Sequence, residues 1–227
     1  MTVLYSDLFN KLEGSAPDNL VLSQANGSGG TMNINGTTGR FRNISSASAT
    51  FHTLRGILPS IYWNRADGKA TMFFTTAATA TDLSPQIMLR TSGAWDAQVD
   101  SPTTGYKLVY WQGNIEIYRR ISGATLLISS SVPFPLSPST TYGMTLQCVG
   151  TATDGVKGRI WNAISGEPPG WQVQADASII TTPGQFMMAF VNTVAVAAIR
   201  QVEWDNLTLD DLVSAVPTGP TPRLMRI

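Results

Sequence analysis

The segment 106–121 contains side chains that could together bind a sugar. Aromatic and basic residues occupy most of the alternate positions of two predicted strands, so four such side chains point to one side of a sheet: Lys107, Trp111, Tyr118 and Arg120. Aromatic rings stack on the apolar face of a sugar, and neighbouring charged groups hydrogen-bond its hydroxyls. The alternative is that this half-apolar stripe packs against a second sheet or a neighbouring subunit.

Residues that could carry out catalysis are few. His52 is the only histidine and Cys148 the only cysteine, which excludes the usual zinc sites. No Gly-x-Ser-x-Gly segment supplies a serine nucleophile, and the Gly-rich segment 27–30 lacks the lysine of a phosphate-binding loop. Cys148 alternates with polar residues in a predicted strand, so we expect it to be a small buried side chain.

The composition describes a weakly charged protein. Of the 227 residues, 43% are hydrophobic and 13% are charged, with fifteen basic and fifteen acidic residues. A chain with no net charge lacks the overall basic character expected of a nucleic-acid-binding protein. Low charge also favours self-association, so we expect a homo-oligomer, with a trimer as one candidate.

Most segments alternate apolar and polar residues with a period of two, which predicts an antiparallel β-sandwich. The clearest hairpin is 106–121, with Gln112-Gly113-Asn114 as a primed turn. One face of this hairpin is predicted to line the core: Tyr106, Leu108, Tyr110, Ile115 and Ile117. Two segments, 5–14 and 208–216, could form either short helices or edge strands.

Two tryptophans flank a turn near residue 170. In the predicted strand 156–161, Arg159 and Trp161 lie on the face opposite Val156 and Ile160. The turn at residues 168–170 should bring Trp171 back near Trp161, where the pair would close a corner of the sandwich.

The composition changes after residue 215. Three prolines in the segment 216–227 predict an extended tail that follows a β-sandwich domain of residues 1–215. An apolar tip on such a tail predicts a peptide that docks on another protein, through Leu224, Met225 and Ile227. The alternative is a frayed terminus.

These segments resemble the concanavalin A-like and laminin-G-like jelly rolls. The resemblance rests on "VKGRIWNAISGEPPGW", on the hairpin followed by "ISGATLLISS", and on "VEWDNLTLDDL", which is similar to the last strand of that fold. It implies that "LYSDLFN" is a first strand that pairs beside the last one. Asp7, Phe9 and Asn10 match the Asp-x-Phe-Asn opening found in minor tail proteins of phages that infect actinobacteria.

The resemblance implies a non-enzymatic virion protein of the phage tail or surface, which presents the domain toward host polysaccharide. Its partners would be other virion proteins, copies of itself and a host-surface glycan. The N-terminus lacks the features of a secretory signal, so we expect synthesis as a soluble protein in the host cytoplasm. The alternatives are a free carbohydrate-binding module or lectin, and a capsid decoration protein that binds no sugar.

Two expectations about carboxylates follow from the same resemblance. Glucanases of this fold use a Glu-x-Asp-x-x-Glu strand; here Glu203 and Asp205 match, but Thr208 replaces the last glutamate, so we expect no hydrolase. Related sandwiches hold a structural Ca²⁺ where the terminal strands meet, which makes Asp7 and Asp205 the predicted ligands. The alternative is that these aspartates cap turns, and no other cofactor is expected.

Overall fold

The computed structural model describes residues 2–7, 9, 12, 14–17, 19–25, 30–35, 40–45, 52–76, 83–95, 102–192 and 200–212. Within these ranges the regular elements are sixteen strands and one 3₁₀ turn, Ala163–Ser165. The strands are β1 Thr2–Asp7, β2 Val21–Ala25, β3 Gly30–Asn35, β4 Arg40–Ser45, β5 His52–Leu58, β6 Gly68–Thr76, β7 Leu83–Trp95, β8 Pro102–Trp111, β9 Asn114–Ile121, β10 Ala124–Leu127, β11 Val132–Pro133, β12 Thr141–Cys148, β13 Val156–Asn162, β14 Val173–Ala175, β15 Gln185–Asn192 and β16 Arg200–Asp211.

The strands form two antiparallel sheets of eight strands each. Sheet A has the order β14-β13-β12-β6-β16-β4-β3, and β1 also pairs with β16. Sheet B has the order β10-β9-β8-β7-β15-β5-β2, and β11 also pairs with β9. The apolar faces of the two sheets enclose the core, so the predicted antiparallel jelly-roll sandwich is confirmed.

Alternation along each strand decides which side chains reach the core. In β6 every second residue is buried, and Ala70, Met72 and Phe74 lie in the core. The five hairpin residues predicted for the core are all buried there. The sheets approach closely at Gly158 of β13, where an added Cβ would lie 2.5 Å from Cδ1 of Leu108 in β8.

The turn of the central hairpin differs by one residue from the prediction. Strand β8 ends at Trp111 and β9 begins at Asn114, which leaves a two-residue turn of Gln112 and Gly113. Both turn residues have positive φ, 46° and 86°, as a primed turn requires. Asn114 therefore belongs to the strand and pairs with Trp111.

Each of the two segments that could be helix or strand contributes to a strand: residues 5–7 belong to β1 and residues 208–211 belong to β16. Strand β1 pairs with residues 207–211 of β16, so the first and last strands are neighbours, as the resemblance implied. The register of β16 against β6 shifts between Asp205 and Thr208, where Asn206 adopts a positive φ of 50°.

Cys148 is fully buried, and burial raises the pKa of its thiol to about 12. Its predicted role as a buried strand residue is confirmed.

The described residues contain no helix that could span a lipid bilayer. The tail 216–227, including the docking residues Leu224, Met225 and Ile227, lies outside the described residues.

Candidate functional site

The sugar-binding residues predicted from the hairpin lie on the outer face of sheet B, where two of them are deeply buried. Lys107 is 6% exposed and Arg120 is 1% exposed, whereas Trp111 and Tyr118 are half-buried. Other polar residues of this face, such as Gln86 and Glu116, are buried too. The ligand role of the four side chains stays a prediction, with Trp111 and Tyr118 as its more accessible members.

Polar contacts hold this face together. The Tyr118 hydroxyl donates to Glu116 Oε2 at 2.5 Å, and the Lys107 ammonium lies 5.5 Å from the centre of the Tyr118 ring. The Ser131 hydroxyl donates to the other oxygen of Glu116. The Tyr118 ring is therefore held both by its hydroxyl group and by a cation on one ring face.

The predicted calcium ligands lie on neighbouring strands, but Asp205 already faces a cation. Asp7 pairs with Leu207 of β16, and Asp205 pairs with Phe73 of β6. Nε of Arg40 lies 3.5 Å from Oδ2 of Asp205, and burial raises the pKa of that carboxyl. The described residues contain no group of three or more histidine, cysteine or acidic side chains that could hold a metal ion. Asp205 is therefore already engaged by a guanidinium, and a Ca²⁺ site formed by Asp7 and Asp205 stays a prediction.

The outer face of sheet A carries a row of aromatic residues around a glycine. Gly143 of β12 pairs with Phe73 of β6 on one side and with Trp161 of β13 on the other. Because Gly143 has no side chain, the indole of Trp161 lies across it; a Cβ there would come within 2.2 Å of the ring. The indole then meets the Phe73 ring edge-on, with centroids 6.0 Å apart and an interplanar angle of 80°.

The next rows of this face carry hydroxyl and charged groups. Thr71 of β6 pairs with Thr145 of β12, and their hydroxyl oxygens are 3.0 Å apart. One row further, Nζ of Lys69 lies 3.2 Å from Oδ2 of the buried Asp210, which β16 places opposite it. Each row thus combines side chains from strands that are distant in the sequence.

The loop after β13 folds back over these rows and is held by Arg159. The Arg159 guanidinium forms an ion pair with Glu167, and Nη1 donates to the carbonyl oxygen of Pro168 at 2.5 Å. Its central carbon lies 4.2 Å from the ring centre of Trp171 and 6.0 Å from that of Trp161. Arg159 therefore bridges the two indoles on the outer face of sheet A, and their predicted role in closing a corner of the sandwich stays a prediction.

These elements enclose a cleft of about 330 Å³, which we call the Trp161 cleft. Strands β6 and β16 form its floor, and the loop 163–167 forms one wall. Its lining combines aromatic, hydroxyl and charged side chains: Lys69, Thr71, Phe73, Trp161, Ala163, Gly166, Glu167, Thr208 and Asp210. Sequence reasoning did not assign this cleft, although it placed Arg159 and Trp161 together on one face of β13.

The fold of this chain is similar to that of solved carbohydrate-binding proteins. The carbohydrate-binding module CBM66 from Bacillus subtilis is 13% identical, with a TM-score of 0.55, over 84% of this chain and 95% of that one. A winged bean acidic lectin, solved with methyl-α-D-galactose, is 11% identical, with a TM-score of 0.56, over 91% and 99% of the two chains. The CBM2 module of the evolved Dit of Lactobacillus casei BL23 phage J-1 is 11% identical, with a TM-score of 0.58, over 91% and 94%.

At these identities the likeness shows a shared jelly-roll fold. The sequence matches no protein-family model, and the comparison with curated proteins found no match.

Proposed function

We propose that this protein is a non-enzymatic carbohydrate-binding domain of a phage particle, in a minor tail or surface protein that recognises host polysaccharide. The observation that carries the proposal is the two-sheet topology, which lectins and carbohydrate-binding modules share over most of their length. The similarity to a module of a phage Dit supports the virion setting. Other virion proteins and further copies of the chain would be its partners.

The first proposed contact with sugar is the outer face of the hairpin β8–β9. Trp111 is half-buried at the end of β8, next to the turn, and offers an indole to the apolar face of a sugar. The buried Lys107 and Arg120 and the half-buried Tyr118 would fix the surroundings of that indole. Such a site binds weakly by itself, and display of many copies on a particle raises the overall affinity.

The carboxylates of β16 are poorly arranged for hydrolysis. Glu203 accepts hydrogen bonds from Asn35 Nδ2 at 2.6 Å and from Gln201 Nε2 at 3.0 Å. Arg40 lies 3.8 Å from Glu203 and 3.5 Å from Asp205, so one guanidinium bridges both acids. A retaining glycosidase needs one carboxylate free to attack and the other free to donate a proton, and shared partners oppose both roles. This supports a binding function without catalysis.

A glycan array probed with the protein as a multivalent conjugate tests the proposal. We expect retention on a subset of glycans and a loss of about tenfold in apparent affinity for Trp111→Ala, because the stacking surface is removed. Tyr62→Ala is the matched control, since it removes an exposed ring from the loop between β5 and β6. A protein that binds no glycan under these conditions would contradict the proposal and favour a decoration role.

Sedimentation of the purified chain distinguishes the two settings of a sugar-binding domain. We expect an obligate oligomer, such as a trimer, for a virion protein that displays its sites together. A monomer that retains glycan binding at all concentrations would favour a free lectin or carbohydrate-binding module instead.

A further inference from the structure

We propose that the Trp161 cleft is a second binding site, on the sheet opposite the hairpin face, and that its ligand is a short uncharged saccharide. The class of ligand rests on the proposed function, whereas the position of the site rests on the geometry of sheet A. The cleft volume of about 330 Å³ lies at the lower end of ligand pockets, roughly 300–1,000 Å³, which suits a short saccharide better than a long polymer segment.

The cleft presents an apolar ring surface of the kind that sugars stack on. Phe73 is half-buried, and the edge-on contact with Trp161 holds its ring in one orientation. Trp161 itself is only 5% exposed, so it supports the Phe73 ring and contributes an edge to the cleft wall. The C–H groups on one face of a pyranose can lie against such a surface, which excludes water from both.

The polar groups of the cleft match the hydroxyls of a sugar. Lys69 and Asp210 form a fixed donor and acceptor, with Nζ and Oδ2 3.2 Å apart, and the Asp210 side chain is 4% exposed. Adjacent sugar hydroxyls donate and accept at once, so a paired ammonium and carboxylate can bind both. The hydroxyls of Thr71 and Thr208 line the same floor and add further partners.

The charges of the lining favour an uncharged ligand. Lys69 is compensated by Asp210, and Glu167 is compensated by Arg159 behind the wall. An anionic sugar would meet two carboxylates and one ammonium whose charge is already paired. A cationic ligand would have to compete with both existing ion pairs, which have favourable geometry.

The wall of the cleft is held in place before any ligand arrives. Glu167 is bound by Arg159, and the Thr145 hydroxyl lies 3.4 Å from Oε1 of Glu167. At the start of the loop, the Asn162 side chain accepts a hydrogen bond from the backbone N–H of Ile164 at 3.0 Å. Binding therefore orders few additional groups, which keeps its entropic cost low.

Titration of the full chain with defined sugars tests the inference. The probes are methyl glycosides of glucose, galactose and N-acetylglucosamine, with N-acetylneuraminic acid as the anionic comparison, followed by calorimetry or by the NMR signals of the tryptophan indoles. We expect Phe73→Leu, Thr208→Val and Lys69→Met each to weaken binding of a neutral glycoside, with the largest loss, about tenfold, for Phe73→Leu. Lys157→Met is the matched control, because Lys157 lies on the same face but pairs with Asp154 outside the cleft.

The outcomes separate this inference from the proposed function. If the array finds glycans and only Trp111→Ala weakens their binding, the proposed function stands and the second site is wrong. If N-acetylneuraminic acid binds at the cleft more tightly than every neutral probe, the assigned ligand class is wrong. If no sugar binds anywhere, both proposals fail. Lys69→Met leaves Asp210 without its partner, so when its melting temperature falls, Phe73→Leu and Thr208→Val decide the result.

Discussion

Replacement of Gly143 by alanine tests how the aromatic row of sheet A is built. The new Cβ would lie 2.2 Å from Cζ2 and 2.3 Å from Cε2 of Trp161, whereas carbon atoms in contact are about 3.5–4.0 Å apart. The clash involves the ring itself and not the end of a flexible chain. The indole must therefore rise from the sheet by more than about 1 Å, which breaks its edge-on contact with Phe73.

The change in unfolding free energy expected for Gly143→Ala combines two opposing contributions. Forcing an extra methyl group into a packed contact costs about 1–3 kcal/mol of unfolding free energy. Alanine in place of glycine in a strand stabilises the folded protein by about 0.5–1 kcal/mol, because an alanine loses less conformational freedom on folding than a glycine does. At the midpoints of these ranges, Gly143→Ala should lower the unfolding free energy by about 1 kcal/mol, and it should also weaken binding in the Trp161 cleft.

Urea unfolding of four variants measures the coupling between the two residues. Gly143→Ala and Trp161→Ala are compared singly and together, and the cost of Gly143→Ala should disappear once the indole is absent. Gly170→Ala is the control, because an added Cβ there meets no atom within 4 Å; its effect should stay within about 0.5 kcal/mol. A Gly143→Ala protein as stable as the wild type, or a cost that persists without Trp161, would refute the reasoning.

Two further predictions concern buried polar groups. Arg90 is 1% exposed and donates to the carbonyl oxygens of Ile180 at 2.5 Å and Gly150 at 2.9 Å and to the Asp67 carboxylate at 3.1 Å. Arg90→Met should therefore cost about 3–5 kcal/mol in urea unfolding, and a cost below 1 kcal/mol would show that water replaces these bonds. The Cys148 thiol should resist thiol reagents at pH 8 until the protein unfolds, because burial raises its pKa from 9.0 to about 12. Because the pKa is higher in the folded protein, the stability that this thiol contributes is complete below pH 9 and is lost as the pH rises toward 12. Rapid labelling of the folded protein at pH 8 would contradict the burial of the thiol.

The parts of the fold that depend on alternation could be predicted from the sequence. Leu108 and Ile117 follow a strict period of two and lie in the core as expected, since a strand turns successive side chains to opposite faces. The position of the hairpin turn could be predicted to within one residue, because Gly113 tolerates the positive φ of a primed turn. The pairing of β1 with β16 came from the resemblance and not from any local pattern.

The burial of the outer face of sheet B could not be predicted in the same way. A lysine at an alternate position of a strand normally points to solvent, yet Lys107 is nearly as buried as its apolar neighbours. Its contact with the Tyr118 ring is a cross-strand interaction that depends on the register of β8 against β9. The sequence specifies the face of each side chain, but what covers that face is a property of the whole fold.

The Trp161 cleft could not be predicted from the sequence, because the residues that line it are far apart in the chain. Lys69 and Phe73 come from β6, Trp161 from β13 and Asp210 from β16, and they meet only because these strands join one sheet. One local signal was available: Gly143 interrupts an otherwise regular strand, and an isolated glycine in a strand often marks a close approach of another group. The approaching group is the indole of Trp161, two strand positions beyond the arginine that holds the loop.

Strand β13 contributes both to the core and to the proposed binding surface. Val156 and Ile160 pack between the sheets, while Arg159 and Trp161, which alternate with them, face outward and shape the cleft. Because the two faces share a backbone but few side-chain contacts, substitutions on them should act separately. Ile160→Val should lower stability by about 0.5–1.5 kcal/mol and leave the cleft intact, whereas Arg159→Lys should release Glu167 and the loop, since a lysine cannot reproduce the forked contacts of the guanidinium. The alternation that builds the sandwich thus also turns Arg159 and Trp161 toward the proposed binding cleft.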